Sequence, residues 1–458
     1  MKRKWIGMLL MAAVLVQLGG CGKSADSGET AQKEDAKSKV DINVCTWYSG
    51  GEKDACDAVI EKFEKEHPDI NINMNYIPYD DYVSKLSTMI SADETPDVFY
   101  VQETEAKEWG LKGIAMDLKP LYEKDGINPE ETFVEAALYQ TDDNLWALSP
   151  SIATIVMYYN KDIFKENGIT PPSDDPSQPW TWEEYVETAQ KLTKDVNGKT
   201  PLDEGFDYNS VATYGTLMTT ATSQLSLTPL LFTNDASFVS EDGKELGINK
   251  PEAVEVLQNV ADLSAVDKCA PTIGMSKGLQ SSSAMLMNGQ LGMFIDGSYI
   301  YPEFKNEKYD VGVTSVPMFK KPAGMAWASA FMMSKKTKHQ DEAFEVFKAL
   351  TDYNYQIEAA AEKGVTPSNL PNMNSFYGSD ENIEKWSQYY DEGFANVASG
   401  LLTEVAKPNE STYVKNYISI VLQTILPQMD KLWLGEVTAE EAVQGLDEKC
   451  KDYLEGTW

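Results

Sequence analysis

Hydrophobic and polar residues alternate in two short segments near the start of the chain, Val40–Trp47 and Ile70–Tyr76, and this period of two is typical of β-strands. Between them, apolar residues recur at helical spacing over Asp54–His67. A second helical pattern over Asp80–Ser91 leads to the short apolar run Asp97–Val101. The predicted order is strand, helix, strand, helix, strand. This order favours an open α/β sheet with a crevice at the carboxyl ends of its strands.

The residues before this region form a separate pattern. A cationic start at positions 2–4 precedes the apolar stretch Trp5–Leu18, and the sequence Leu18-Gly19-Gly20-Cys21 is typical of a lipoprotein cleavage site. Because a bilayer core needs roughly 20 apolar residues, this stretch is too short to span one. We therefore expect residues 1–20 to be a cleaved signal peptide and Cys21 to carry lipid, such as palmitate, at the extracellular face of the cell membrane. An ordinary secretory signal with a chance cysteine is the alternative.

Composition and length predict a flexible stalk and two lobes, and the net charge argues against two classes of partner. Residues 21–40 are rich in Lys, Ser, Asp, Glu and Ala without an apolar period, which predicts a flexible stalk. The remainder of the 458-residue chain is too long for one ordinary domain and predicts two lobes. The formal net charge is −33. So acidic a chain is a poor partner for nucleic acid or anionic lipid, because phosphate binding depends on basic patches.

Cysteine usage is consistent with export but leaves the pairing open. Four cysteines follow Cys21, namely Cys45, Cys56, Cys269 and Cys450. They allow three connectivities, and a Cys45–Cys56 bridge is one candidate in an oxidising exterior. None of them forms a CxxC motif, and the two histidines, His67 and His339, are not spaced with them as metal ligands would be. We predict no metal and no other cofactor.

Seven segments, in order along the chain, resemble one protein family. They are DINVCTWYSGGEKDACDAVIEKFEKEHPDINI, YDDYVSKLSTMISADETPDVFYVQ, LSPSIATIVMYYNKDIFKENGITPP, PWTWEEYVETAQKLT, AMLMNGQLGMFIDGSYIY, YDVGVTSVPMF and WASAFMMSKKTKHQDEAFEVFKAL. They resemble the family 1 extracellular solute-binding proteins, the maltose-binding-protein-like sugar-binding components of ABC importers. No single motif is diagnostic, and the resemblance rests on their order and spacing from about Val40 into the 430s.

The resemblance implies a two-lobe α/β fold of the type II periplasmic-binding-protein kind, with hinge strands and lobes that are discontinuous in sequence. Lobe 1 is expected to contain residues 41–150 and 317–367, and lobe 2 residues 151–316 and 368–458. The chain would cross between the lobes at three places, near Leu148–Ala153, Val313–Pro317 and Thr366–Pro371.

A sugar site needs aromatic faces for the C–H surfaces of the ring and carboxylates or amides for its hydroxyls. Trp47 and Tyr48 end the first predicted strand, just before a glycine-containing turn where backbone can approach a ligand. Gln102 and Glu103 follow the strand that ends at Val101. Strand ends of this kind meet at the crevice edge of a parallel sheet. These four residues are therefore candidate ligand contacts from the first lobe.

The other candidates come from later in the chain. Asp296 and Tyr299 follow the apolar strand Leu291–Ile295, and the resemblance places Tyr299 where relatives commonly have a stacking Trp. It also places Trp327 where many relatives present a ligand contact from the first lobe, opposite Asp296. Tyr214 is a further candidate. Each of these aromatic residues could instead belong to a hydrophobic core, and for Trp327 this is the stated alternative.

The resemblance implies a monomeric protein that captures a mono- or oligosaccharide between its lobes and delivers it to the transmembrane subunits of an ABC importer, without catalysis. A binding protein for a polyamine or peptide is the first alternative, because an acidic aromatic cleft also suits cations. A secreted glycoside hydrolase is the second, since pairs of carboxylates are uninformative among 72 acidic residues. The GxSxG segment Gly274–Gly278 lacks the preceding strand that a hydrolase nucleophile requires.

Overall fold

The computed structural model describes residues 39–141, 143–217, 222–304, 310–365 and 392–458. The predicted signal peptide, Cys21 and nearly all of the predicted stalk lie outside the described residues, as does the predicted crossing near Thr366–Pro371. Within the described ranges, none of the helices has the length and apolar character that crossing a membrane requires.

The first sheet contains six strands in the order β2-β1-β3-β12-β5-β4. Their bounds are β1 Val40–Thr46, β2 Ile70–Tyr76, β3 Val98–Val101, β4 Leu138–Thr141, β5 Asn144–Leu148 and β12 Ala330–Met333. Strand β1 pairs in parallel with both β2 and β3, whereas β12 runs antiparallel to β3 and to β5. The three strands predicted from the period-two pattern and the apolar run are confirmed to within one residue at each end.

The second sheet is built around one long strand. Its members are β6 Ala153–Asn160, β9 Met293–Gly297, β10 Val311–Thr314, β11 Gly324–Trp327 and β13 Ala406–Pro408. Strand β6 pairs antiparallel with β9, β10 and β11, and β11 pairs in parallel with β13. A separate small hairpin joins β7 Lys194–Asp195 to β8 Val211–Thr213. The mixed α/β class and the two sheets agree with the predicted fold.

Eighteen α-helices lie in the described ranges. The longer ones are α1 Gly50–Glu66, α2 Tyr79–Ser91, α3 Glu103–Leu111, α7 Trp182–Leu192, α8 Gln224–Thr233, α9 Pro251–Ala265, α12 Gln340–Thr351, α13 Tyr353–Lys363 and α14 Glu392–Gly400. The short ones are α4 Lys119–Lys124, α5 Pro129–Thr132, α6 Lys161–Glu166, α10 Ile273–Ser276, α11 Ser282–Met287, α15 Leu426–Gln428, α16 Asp430–Trp433, α17 Ala439–Ala442 and α18 Leu446–Cys450. Four 3₁₀ segments (Glu135–Ala137, Tyr208–Ser210, Ser298–Phe304, Glu410–Thr412) and two π segments (Leu401–Val405, Ile418–Ile425) complete the described elements.

The chain passes between the two sheets at two described places. Strand β5 ends at Leu148 in the first sheet and β6 begins at Ala153 in the second, as predicted for the first crossing. The return differs from the prediction of Val313–Pro317. Because β11 pairs with β6, the chain stays in the second sheet until Trp327 and returns at Ala328–Ser329. The local apolar pattern could not show this, since a strand's partner is not encoded in its own alternation. The other predicted lobe boundaries stay a prediction.

Each sheet has its own hydrophobic core. In the first, Ile42, Phe63 and Phe347 are almost fully buried between the sheet and helices α1 and α12. In the second, Met157 of β6 and Leu230 of α8 are fully buried in a larger cluster. Burying one such side chain contributes roughly 1.5–3 kcal/mol.

The cysteines outside the predicted lipidation site are all free and buried, so the Cys45–Cys56 bridge does not form. The reason lies in the pleat of β1, where successive side chains point to opposite faces of the sheet. Cys45 packs on the face that holds Tyr82, while Cys56 of α1 packs on the opposite face with Val44. Burial raises the pKa of the Cys45 thiol to about 11 and that of Cys56 to about 12, which makes both poor nucleophiles.

Gly215, two residues after β8, lets helix α7 approach this segment closely. A Cβ atom at this position would lie 1.9 Å from the carbonyl oxygen of Ala189 in α7. We expect Gly215→Ala to lower the free energy of unfolding by about 1–3 kcal/mol or more, because backbone must move to admit the methyl group. Gly274→Ala is the control, since its Cβ would meet nothing closer than 3.8 Å. Urea unfolding measures both, and equal stabilities would contradict this packing.

Candidate functional site

A cavity of about 370 Å³ opens where the two sheets meet. It is lined by Trp47, Tyr48, Glu52, Tyr79, Tyr100, Gln102, Ser151, Ala153, Leu225, Tyr299, Trp327, Ala328 and Ser329. The lining draws on both sheets and on both described crossings. A ligand in this cleft would therefore touch both lobes and the hinge between them.

Strand topology explains the first-lobe side of the cleft. Because β1, β2 and β3 are parallel neighbours, their carboxyl ends lie along one edge of the sheet. Trp47 follows the end of β1, Tyr79 lies three residues beyond β2, and Gln102 follows β3. Glu52 stands in the first turn of α1, which begins just after β1. The same edge thus presents aromatic rings, an amide and a carboxylate to the cleft.

The first-lobe aromatic residues brace one another. The ring of Trp47 lies 5.6 Å from that of Tyr79, 5.0 Å from that of Tyr82 and 4.5 Å from that of Tyr100, between centroids. Gln102 donates a hydrogen bond from its side-chain amide to the hydroxyl of Tyr79. Tyr79 is nevertheless 57% exposed, so most of this ring remains open to a ligand. The cluster provides a rigid apolar wall with polar edges, as a sugar ring requires.

The second-lobe side carries a second aromatic pair. The rings of Tyr299 and Trp327 lie 5.6 Å apart at 67°, in an edge-to-face arrangement. The hydroxyl of Tyr299 donates to Asp296 Oδ1 at 3.2 Å, and the backbone N–H of Gly297 donates to the same oxygen at 2.7 Å. Burial raises the pKa of Asp296 above its usual range, against these two hydrogen bonds. Asp296 therefore orients Tyr299 beside the cleft.

Glu103 connects the two sides directly beneath the cleft. Its carboxylate accepts a hydrogen bond from Trp327 Nε1 at 2.8 Å on Oε2, and one from Ser411 Oγ at 3.1 Å on Oε1. The residue is only 8% exposed, and burial raises the pKa of its carboxyl group to about 7 although both hydrogen bonds favour the charged form. Its oxygens thus face second-lobe donors and do not line the cavity.

A second buried carboxylate stands next to Ser411. Glu410 is fully buried, and its two oxygens accept hydrogen bonds from the backbone N–H groups of Val239 at 2.8 Å and Phe238 at 3.2 Å. Burial raises the pKa of Glu410 to about 7 as well. It fixes the segment that presents Ser411 to Glu103.

The structure brings most of the predicted site residues together. Five of them line the cleft, namely Trp47, Tyr48, Gln102, Tyr299 and Trp327. Glu103 and Asp296 lie beside it, hydrogen-bonded to Trp327 and Tyr299 respectively. Tyr214 is not brought to the cleft, because it is buried in a second-lobe core cluster with Phe294 and its backbone bridges to Leu291.

Trp327 also approaches from the side opposite to the one expected. It is the last residue of β11, which belongs to the second sheet and pairs there with Ala153 of β6. Trp327 and Asp296 therefore stand on the same lobe, and the prediction that they face each other from opposite lobes was wrong. The strand order near the hinge decides this, and no local sequence pattern records it.

Several lining residues were missed from sequence. Tyr79 and Glu52 could have been found by applying the strand-end argument to β2 and to the turn after β1. Tyr100 could not, because it lies inside a continuous apolar run and resembles a core residue. Ser151 and Ser329 belong to the two crossings, whose proximity depends on the pairing of distant strands.

The described residues offer no competing metal centre or nucleophile elbow. Nowhere in the described ranges do three or more His, Cys, Asp or Glu side chains form a group suited to a metal ion. Ser276 of the GxSxG segment lies at the end of the short helix α10, and its hydroxyl donates to the carbonyl of Thr272 at 2.9 Å. The hydroxyl of this serine therefore stabilises a helical turn.

Two lobes, two described crossings and an aromatic cleft at the hinge define a two-lobed solute-binding protein. The sequence matches the model of the bacterial extracellular solute-binding protein family over residues 49–357. The chain belongs to this family, and the resemblance seen in the sequence is confirmed.

Curated relatives of the chain are consistent with this family assignment. The chain is 26% identical to an arabinooligosaccharide-binding protein of Bacillus subtilis over 74% of this chain and 73% of that protein. It is 26% identical to a multiple sugar-binding protein of Streptococcus mutans over 88% of this chain and 96% of that protein.

Among solved structures, the fold is similar to that of an ABC substrate-binding protein of Listeria monocytogenes in complex with cycloalternan. The TM-score is 0.76 with 23% identity, over 90% of this chain and 99% of that one. A maltose/maltodextrin-binding domain of Bdellovibrio bacteriovorus bound to maltotriose gives a TM-score of 0.68 with 20% identity, over 91% and 99% of the two chains. At this identity the two structures support the fold.

The two buried carboxylates predict how stability depends on pH. For both Glu103 and Glu410 the folded state binds a proton more tightly than the unfolded chain, since each pKa is about 7 against an ordinary value of 4.5. The folded state therefore holds more protons between these values, and the free energy of unfolding should rise as pH falls from about 7 to about 4.5.

We expect Glu103→Gln and Glu410→Gln each to reduce this pH slope, because each removes one of the two groups. Thermal unfolding measured at intervals across the window provides the slope. Asp452→Asn, which changes an exposed carboxylate, is the control and should retain the wild-type slope. The same slope in wild type and in both glutamine variants would show that other groups control it.

Proposed function

We propose that this protein captures a carbohydrate between its lobes and delivers it to an ABC importer. The observation that carries the proposal is the pair of aromatic surfaces that face one cleft from both sheets, Trp47 with Tyr79 and Tyr299 with Trp327. Aromatic faces suit the C–H surfaces of a sugar ring, and the polar groups around them suit its hydroxyls. Of the predicted contacts, Trp47, Tyr48, Gln102, Tyr299 and Trp327 would touch the sugar directly.

The charge of the lining and the volume of the cleft limit the classes of ligand that fit. The lining contains one carboxylate, Glu52, and no Lys, Arg or His side chain, so an uncharged sugar is favoured over an acidic one. A volume of about 370 Å³ lies at the lower end of the usual range for small-molecule sites. The relatives named for arabinooligosaccharides and multiple sugars support a saccharide ligand, as do the neighbours bound to cycloalternan and maltotriose.

A polyamine is the second candidate, and Glu52 is the observation that favours it. A carboxylate beside several electron-rich aromatic faces suits an ammonium group through charge and cation–π attraction. The polar lining residues Gln102, Ser151 and Ser329 instead favour hydroxyl groups. Binding measured with both ligand classes separates the two candidates.

The site supports binding without chemistry. Glycoside hydrolysis requires two carboxyl groups that flank the scissile bond. Glu52 is the single carboxylate of the lining, and the oxygens of Glu103 are directed at Trp327 and Ser411. Family members matched here are named as binding proteins, which also favours a receptor.

The first experiment is calorimetric titration of the purified protein with a panel of neutral mono- and oligosaccharides, polyamines and short peptides. We expect a saccharide to bind and to be recovered unaltered. Trp47→Ala and Trp327→Ala should each weaken its affinity by about tenfold or more, because about 1.4 kcal/mol of lost stacking and burial corresponds to one decade. Trp458→Ala removes a partly exposed ring at the chain end and should leave affinity unchanged.

Thermal unfolding of each variant provides the necessary check on stability. If Trp327→Ala lowers the melting temperature but leaves the affinity of the folded protein unchanged, Trp327 is a core residue and not a ligand contact. Binding of polyamines alone would favour the second candidate. Hydrolysis products of the saccharide would contradict a receptor.

We also propose that residues 1–20 form a lipoprotein signal peptide and that lipid on Cys21 holds the protein at the extracellular face of the cell membrane. Membership in an extracellular family supports export. The lipoprotein-like sequence that ends at Cys21 supports the anchor. The polar stalk predicted for residues 21–40 would then hold a monomeric body away from the membrane, within reach of the importer.

Cys21→Ser tests the anchor. Acyl chains contribute about 0.8 kcal/mol per buried CH₂ group, so a lipidated Cys21 holds the protein in the membrane fraction. We expect the serine variant to appear outside that fraction, and Cys269→Ser, which changes a buried cysteine of the body, to stay membrane-bound. Membrane fractionation with intact-mass analysis measures both. An unmodified Cys21 in the membrane-bound wild type would contradict the proposal.

A further inference from the structure

Trp327 lies directly before the crossing that joins the second sheet to the first. It is the last residue of β11 in the second sheet, and the chain crosses to the first sheet over the next two residues. Its indole ring lines the cleft beside Tyr299 and lies next to the crossing between the sheets. A useful stacking platform therefore needs a group that fixes the plane of this ring.

Glu103 is the group in the structure that can do so. It is the first residue of α3, on the first lobe, and its Oε2 lies 2.8 Å from the indole Nε1 of Trp327. An indole has one N–H donor, so this bond fixes the direction of the Nε1 edge, and the edge-to-face contact with Tyr299 at 5.6 Å limits rotation about it. When the carboxyl group of Glu103 is ionised, hydrogen bonds to it are about twice as strong as neutral ones.

The second oxygen of Glu103 holds the neighbouring strand. Ser411 Oγ donates to Oε1 at 3.1 Å, and Ser411 follows β13, which pairs in parallel with β11. The backbone N–H of Asn409 also donates to the carbonyl of Ala326, at 3.0 Å. One first-lobe carboxylate thus binds two adjacent second-lobe segments, and one of them carries the platform.

The surroundings argue against a role as an ordinary structural ion pair. None of the ion pairs among the described residues includes Glu103, although it is only 8% exposed. Its charged neighbour on the same helix is Glu105, which repels it. A buried carboxylate without a cation costs free energy that a neutral residue would not, unless its hydrogen bonds compensate.

We propose that Glu103 is a positioning residue that reaches across the hinge and fixes the indole plane of Trp327 as a platform of the cleft. Because donor and acceptor stand on different lobes, the platform takes its final orientation only when the lobes are close enough for this bond. The proposal rests on the proposed function in one respect, namely that the cleft receives a ligand. Ring order and lobe closure are then coupled before any ligand contact forms.

The test observes Trp327 directly and needs no ligand. Indole N–H signals are recorded on ¹⁵N-labelled protein, and Trp327→Phe identifies the Trp327 signal by its disappearance among the 10 tryptophans. In Glu103→Gln and Glu103→Ala we expect this signal to move and its exchange with solvent to accelerate. The acceleration in the alanine variant should be at least about tenfold, as expected for the loss of a hydrogen bond to a charged acceptor.

A second measurement reports the order of the Trp327 ring instead of its hydrogen bond. In protein labelled with 5-fluorotryptophan, Trp327 should give one narrow ¹⁹F line in wild type and a shifted, broadened line in Glu103→Ala. Glu108→Gln is the matched control, because this carboxylate lies on the same helix and bonds to Lys112. It should leave both Trp327 signals at their wild-type positions.

Unchanged exchange and an unchanged ¹⁹F line in both Glu103 variants would overturn the proposal. A general loss of structure would move many tryptophan signals, whereas positioning moves that of Trp327 selectively. The outcome is separable from that of the proposed function. Selective movement in a protein that binds no saccharide upholds the positioning role and refutes the sugar ligand, while saccharide binding with unchanged Trp327 signals does the opposite.

Discussion

The arrangement of the molecule depends on two crossings that run side by side. At one end they are held by the first sheet, where Phe331 of β12 pairs with Leu148 of β5. At the other end they are held by the second sheet, where Trp327 of β11 pairs with Ala153 of β6. Between these pairs, Ser149 Oγ donates to the carbonyl of Ser329 at 2.7 Å. Among the described residues the two sheets are thus joined by this double connection, and the cleft opens directly beside it.

This constraint also determines which interactions a change in lobe angle affects. The strand pairs at the hinge and most of the packing within each lobe lie to one side of the cleft. The hydrogen bonds from Trp327 and Ser411 to Glu103 join the two lobes, so a change in lobe angle would act on them directly. An equilibrium between two lobe angles would therefore depend in part on these two bonds. A ligand that touches both walls can shift such an equilibrium by its differential affinity for the two states.

The sequence predicted the first-lobe half of the site better than the rest, for a physical reason. Period-two and helical patterns located β1, α1, β2, α2 and β3, and the rule that parallel strands end at one edge then selected Trp47, Tyr48 and Gln102. The lobe of Trp327 and the contacts of Glu103 were not predictable in this way. Both depend on the pairing of strands that are distant in the chain. The Glu103 and Trp327 side chains meet across 224 residues. Tyr214 follows a strand as the other candidates do, but its strand belongs to the small hairpin away from the cleft.

The segment after β13 shows how a binding protein can be rigid within a lobe and adjustable between lobes. Glu410 holds this segment to its own lobe through two backbone N–H groups, those of Phe238 and Val239, and it is fully buried. The next residue, Ser411, offers its hydroxyl to the other lobe. Backbone donors are fixed by the fold, whereas a side-chain hydroxyl can rotate. If the two lobes moved apart, the bond of Ser411 to Glu103 would break and the bonds of Glu410 within its own lobe would remain. Of these two adjacent residues, Glu410 thus makes the contact within a lobe and Ser411 makes the contact between lobes.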